Sequence, residues 1–122
     1  MLSYLENDEV EKIKNMLSSD TKKEFNIDKQ IKQACEFFVG KTVSYDKRIT
    51  ISGEDSYKKG EHNLCVIYPA IWDISTDENC NYYVSFSEYL INLSNKSKEG
   101  IYCIEICNID TNEKVIIGDY LG

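Results

Sequence analysis

Apolar residues in the first third of the chain recur at steps of three and four. Val10, Ile13, Met16 and Leu17 form one such series, with Asn7 or Asp8 placed to cap its start. Ile27, Ile31, Ala34, Cys35 and Phe38 form a clearer one, with Asn26 or Asp28 at its beginning and Gly40 as its terminator. Lys and Glu fill the remaining positions, so two N-terminal helices are predicted, each burying one side.

From residue 41 the period changes to two. Ile49 and Ile51 alternate with Thr50 and Ser52, the pattern of a half-exposed strand. Residues 52–60 (Ser-Gly-Glu-Asp-Ser-Tyr-Lys-Lys-Gly) read as a polar, mobile loop. Leu64 to Tyr68 is short and apolar on both faces, which suits a central strand, and Asn81 to Phe86 suits a further one. Ser85-x-x-Glu88 has capping-box spacing, and Phe86, Tyr89, Leu90 and Leu93 then predict a short third helix ending before Gly100. Ile101 to Ile109 and Lys114 to Tyr120, joined by a turn containing Asp110 and Asn112, predict a C-terminal hairpin. The expected fold is α+β: two N-terminal helices and one short later helix packed on a mainly antiparallel sheet.

A chain of 122 residues with 42% apolar and 29% charged positions fits one globular domain, 1–122. The longest apolar run, Leu64 to Trp72, is broken by Pro69 and is too short for a membrane span. The opening residues turn acidic at once, without the basic and then apolar sequence of a secretory signal. A cytoplasmic location is expected. Five scattered cysteines agree, because an odd, dispersed set reads as buried thiols rather than a disulfide framework.

Several kinds of chemistry find little support. Cys103 and Cys107, four apart on a strand, stand about 13 Å from each other at a rise of ~3.3 Å per residue, too far to share a metal. His62-x-x-Cys65 alone does not complete a closed zinc site. His62 is the one histidine, and at the edge of a polar loop it is expected to be solvated rather than paired with a cysteine nucleophile. Neither phosphate-binding glycine pattern occurs. Glu105, set among apolar residues, is expected to be exposed or paired with a lysine; buried alone it would be a general-acid candidate. No catalytic residue, metal site or cofactor is therefore predicted, and the chain is not expected to be an enzyme.

Charge changes the picture more. The net charge is −7, and Arg48 is the one arginine, which argues against nucleic acid or an anionic membrane as partner. Residues 1–32 mix six Lys with seven acids, as solvated helices do, whereas Glu61 to Asn95 contains no Lys or Arg. That span carries Glu61, Asp73, Asp77, Glu78 and Glu88 together with Trp72, Tyr83 and other rings, and Glu54, Asp55 and Tyr57 lie just before it. Rings supply contact area at low entropic cost, and carboxylates steer a basic partner. Glu54, Asp55, Tyr57, Glu61, Trp72, Asp73, Asp77, Glu78 and Tyr83 are the candidate partner-binding residues. Of Tyr68, Trp72, Tyr82, Tyr83, Phe86 and Tyr89, Trp72 is the ring expected to be partly exposed.

In size, acidity, preference for Lys over Arg, and richness in Ile, Asn and Tyr, the chain resembles the small immunity proteins of bacterial contact-dependent inhibition and related polymorphic toxin systems. That resemblance implies a domain that binds and neutralises a cognate toxin, and the acidity implies a basic, nuclease-type one. The alternatives are a small-ligand or enzyme domain with a pocket inside a curved sheet, and a regulatory or structural subunit of a larger assembly.

Overall fold

The computed structural model describes residues 1–48 and 50–118. Four short helices, α1 (Leu2–Glu6), α2 (Val10–Asn15), α3 (Ser19–Lys22) and α4 (Ile27–Phe37), precede six strands: β1 (Thr42–Ser44), β2 (Thr50–Lys58), β3 (Glu61–Thr76), β4 (Asn81–Asn92), β5 (Gly100–Asn108) and β6 (Lys114–Gly118). The strands form one antiparallel sheet in the order β1-β3-β4-β5-β6, and β2 pairs with β3 alongside. The α+β expectation holds, including the C-terminal hairpin; Ile49 and Tyr120, which the strand predictions also included, lie outside the described residues.

The helical stripes read from the sequence are buried. Ile13 and Leu17, then Ile27, Ile31, Ala34, Cys35 and Phe38, pack with Ile74, Tyr82, Val84, Ile104, Ile106 and Ile117 of the sheet in one core cluster. Side chains alternate along a strand, so this cluster defines a helix-covered face and, by default, a second face. Tyr82 locks the two layers together. Its ring stacks on Phe38 at 4.7 Å, and its hydroxyl donates to the Phe37 carbonyl at 2.8 Å and accepts from the Val39 N–H at 3.0 Å. Those backbone groups lie where α4 ends and find no partner within the helix.

Four short helices stand in the N-terminal third where two were expected, and two further elements differ. Residues 50–58 are a strand rather than a loop. β2 is exposed along nearly its whole length, so it buries no apolar face and shows no hydrophobic alternation; the backbone ladder to β3 alone makes it extended. Its connection to β3 is a tight turn in which Lys59 and Gly60 both take positive φ, 52° and 80°, a geometry that matches strand twist. The predicted helix after Ser85 is the second half of β4 instead, followed only by a single 3-10 turn, Lys96–Lys98. Its supposed stripe does not converge, since Leu90 and Leu93 are 49% and 44% exposed. Pairing with β3 on one side and β5 on the other satisfies this backbone along its length, and that outweighs local helix spacing.

Replacing Tyr82 by Phe keeps the ring and removes both hydroxyl bonds. We expect a loss of roughly 1–3 kcal/mol, the cost of leaving such backbone groups unpaired, read as a lower urea midpoint with an unchanged denaturant slope.

Candidate functional site

The face of the sheet away from the helices is assembled by strand pairing. Ala70 pairs with Ser85, Ser85 with Glu105, and Glu105 with Ile116; Tyr83 pairs with Cys107, and Ser87 with Cys103. Val66, Ala70, Cys103 and Cys107 are buried there but lie outside the helix-packed cluster. Above them stand aromatic rings. Trp72 packs against Tyr83 with centroids 4.9 Å apart, and Tyr89 stacks on Tyr102 at 4.7 Å.

Two irregularities bring these rings together. Pairing of β3 with β4 shifts between Ile71 and Ile74, where Asp73 takes a φ of 54°. Pairing of β4 with β5 shifts between Ser87 and Glu88 and leaves Tyr102 out of register. Strict alternation puts Tyr102 with Ile104 and Ile106; the bulge turns it to the opposite side, near Ser87 and Tyr68. Burial, followed by the neighbouring Tyr68, pushes the Tyr102 hydroxyl up to about 12.

A polar group crosses the same face. Glu105 pairs with Lys114 at 3.1 Å, the lysine partner that its place among apolar residues led one to expect. Tyr83 is raised first by burial and then by the charge of Glu105. Lys114, hydrogen-bonded to Glu105, is raised as well.

The nine residues singled out from the sequence do not form one patch. Trp72 and Tyr83 share the helix-free face, and Trp72 is 39% exposed, as expected. Glu54 joins that face through its pairing with Val66, and Asp73 sits at the adjacent bulge close enough to act on Arg48. Asp77 and Glu78 lie in the β3–β4 turn, where the Asp77 carboxylate accepts the Lys41 N–H at 2.9 Å. Asp55, Tyr57 and Glu61 lie at the other end of β3, a strand of 16 residues, or roughly 50 Å if fully extended. Tyr68, Tyr89 and Tyr102 complete the face. The parity of residues 83, 85, 87 and 89 locates Tyr89 once β4 is recognised as a strand; Tyr102 reaches the face only through its bulge.

His62 is not a solvated loop residue. It lies on β3, where its Nε2 is 2.7 Å from Asp55 Oδ1 and its ring stacks on Tyr57. The Cys65 thiol lies near the same carboxylate, the three donor atoms standing within 4.8 Å of one another. Cys65 and then His62 hold Asp55 below its ordinary value, and the neighbouring Asp55 pushes the Cys65 thiol up. The carboxylate thus sits between thiol and imidazole, and the thiol is held in its protonated form. A cysteine nucleophile needs the imidazole against the sulfur and a lowered thiol pKa. This trio is not built for that attack.

The fold and its exposed rings define an α+β domain with an open aromatic sheet face. The chain belongs to the DUF5104 family, a domain of unknown function, whose match covers residues 1–111. No curated protein matches the chain.

The elevated Tyr102 fixes the sign of one pH effect. A tyrosine raised from 10.0 to about 12 in the folded state stabilises the fold fully below pH 10, and that contribution disappears as pH rises through about 12. Urea unfolding between pH 10 and 12 should therefore show a shallower loss of stability in Tyr102→Phe than in the wild type.

Proposed function

We propose that this domain binds a basic protein on the helix-free face of its sheet, and that the partner is a toxin domain which it neutralises. The observation that carries the reading is the Trp72–Tyr83 pair: two large rings in contact, one of them 39% exposed, on a face where no described helix packs. Clustered aromatics with a polar margin are the usual anchors of protein recognition. The margin here is Glu54, Asp73 and the Tyr and Ser hydroxyls, and Lys114, which pairs into the face opposite Cys107, is tied to Glu105.

The basic character of the partner rests on the net charge of −7 and on the cation-free span from Glu61 to Asn95. Its being a toxin rests on the resemblance to small acidic immunity proteins, and its action in the cytoplasm follows from that same reading. No helix among the described residues is long and apolar enough to cross a membrane. The small-ligand or enzyme alternative drew on Glu105 among apolar strand positions, with Tyr102 and the cysteines nearby; Glu105 is paired with Lys114 at 3.1 Å rather than isolated.

Co-expression with basic toxin domains drawn from neighbouring genes, scored by cell growth, tests the proposal, and neighbours that encode no such domain count against it. Trp72→Ala and Tyr83→Ala should each weaken binding by ~30-fold or more, the effect of losing an interface anchor, and should abolish rescue. Glu54→Lys with Asp73→Lys should slow association and flatten its salt dependence. Asp77→Lys with Glu78→Lys, away from the face, should leave affinity within a few-fold. Rescue that survives both ring substitutions removes this face as the binding surface.

A further inference from the structure

We propose that Asp55, His62 and Cys65 form a binding site for a borderline divalent cation, zinc foremost, near the outer end of the β2–β3 hairpin. A carboxylate oxygen, an imidazole nitrogen and a thiol sulfur lie there within 4.8 Å of one another. Donor atoms around a tetrahedral zinc ion stand ~3.4–3.6 Å apart, given metal–ligand bonds of ~2.0–2.3 Å. His62 Nε2 and Asp55 Oδ1, now 2.7 Å apart in a hydrogen bond, need to part by only about 0.7 Å to reach that spacing.

The backbone brings the three together by a specific device. Asp55 and Cys65 are direct cross-strand partners, so the ladder fixes their separation. His62 precedes Cys65 by three positions, and simple alternation would send the two side chains to opposite faces. Between them the pairing slips: Ser56 faces Leu64, Tyr57 faces His62, and Asn63 is the extra residue. This bulge returns His62 to the Cys65 side. Tyr57 then stacks on the imidazole with centroids 4.5 Å apart and planes inclined by 14°, which holds the ring in place.

Donor chemistry selects the ion. Calcium and magnesium prefer sites made entirely of oxygen, whereas a thiolate, an imidazole and one carboxylate suit zinc and cobalt. A dication also offsets the negative charges that Asp55 and a deprotonated Cys65 would bring together. Three protein ligands leave a fourth position for water or for a side chain from elsewhere. Cys65 alternates with Val66 along β3, so the site lies on the opposite side of the sheet from the Trp72–Tyr83 face and does not depend on the function proposed for it.

Titration of the reduced full chain with cobalt(II), followed by displacement with zinc, tests the site. We expect one equivalent to bind with a thiolate-to-cobalt charge-transfer band and the intense visible bands of a tetrahedral ion. Cys65→Ser should abolish the charge-transfer band and weaken binding by ~100-fold or more, as loss of a ligand should exceed the effect of losing its outer partners. His62→Gln should keep the thiolate band and weaken binding comparably, and Asp55→Asn, on the exposed strand, repeats the test without touching the half-buried thiol. Cys80→Ser should change nothing. Absence of stoichiometric binding, a thiolate band that survives Cys65→Ser, or affinity unaffected by both His62→Gln and Asp55→Asn would each overturn the proposal.

Discussion

One layer of helices covers one face of this sheet, and side-chain alternation along the strands turns that fact into the rest of the molecule. The amphipathic stripe of α4 buries Ile27, Ile31, Ala34 and Cys35 against strand residues that recur at every second position. Whatever lies between those positions is assigned to the other side. On β4 and β5 the intervening residues are tyrosines, serines, cysteines and one glutamate. An apolar second face would demand a second layer; this one has hydroxyls, stacked rings and an ion pair that tolerate water. The sheet therefore needs no further cover to be stable, yet it retains aromatic area for a partner to bury.

The sequence made the helical third legible because its pattern and its burial coincide. Ile27, Ile31, Ala34 and Cys35 show one period, and that side is buried. The hairpin from Gly100 to Gly118 was legible for a related reason: Ile104 and Ile106 alternate toward the core, and its turn has local chemistry. There the Asn108 side chain accepts the N–H groups of Asp110 and Thr111, and Asn112 takes a φ of 62°. β2 was illegible because an exposed edge strand needs no apolar residues at all. β4 was misread because Phe86, Tyr89, Leu90 and Leu93 satisfy helical spacing in one dimension, whereas pairing on both edges decided the outcome in three.

The candidate site was hidden by a subtler cause. A bulge shifts parity by one residue, and nothing local in Asn63, Asp73 or Tyr102 announces it. Each bulge nevertheless moves chemistry. One shift places His62 beside Asp55 and Cys65, another accompanies the positioning of Trp72 against Tyr83, and the third sends Tyr102 to meet Tyr89 and Tyr68. Alternation predicts where side chains go only between such points, so linear spacing alone keeps His62 and Cys65 on opposite faces while the folded chain gathers three donors.

The dispersed acids require a different weighing. Glu54 and Asp55 sit on an edge strand, where charge discourages pairing with a second molecule, and this role needs no partner to explain it. Asp77 accepts a backbone N–H from Lys41 and helps fix the β3–β4 turn. Glu61 flanks a hairpin tip where Lys58 and Lys59 already stand. Once these structural roles are subtracted, acidity alone no longer marks a binding surface, and a basic partner would feel mainly the field of the whole molecule. Trp72 is different. Its indole N–H is held by Thr50 at 2.8 Å, a bond that orients the ring outward rather than burying it, and more than a third of the side chain remains open to water. Stability gives little reason to fix an aromatic ring in that position, and recognition gives a direct one.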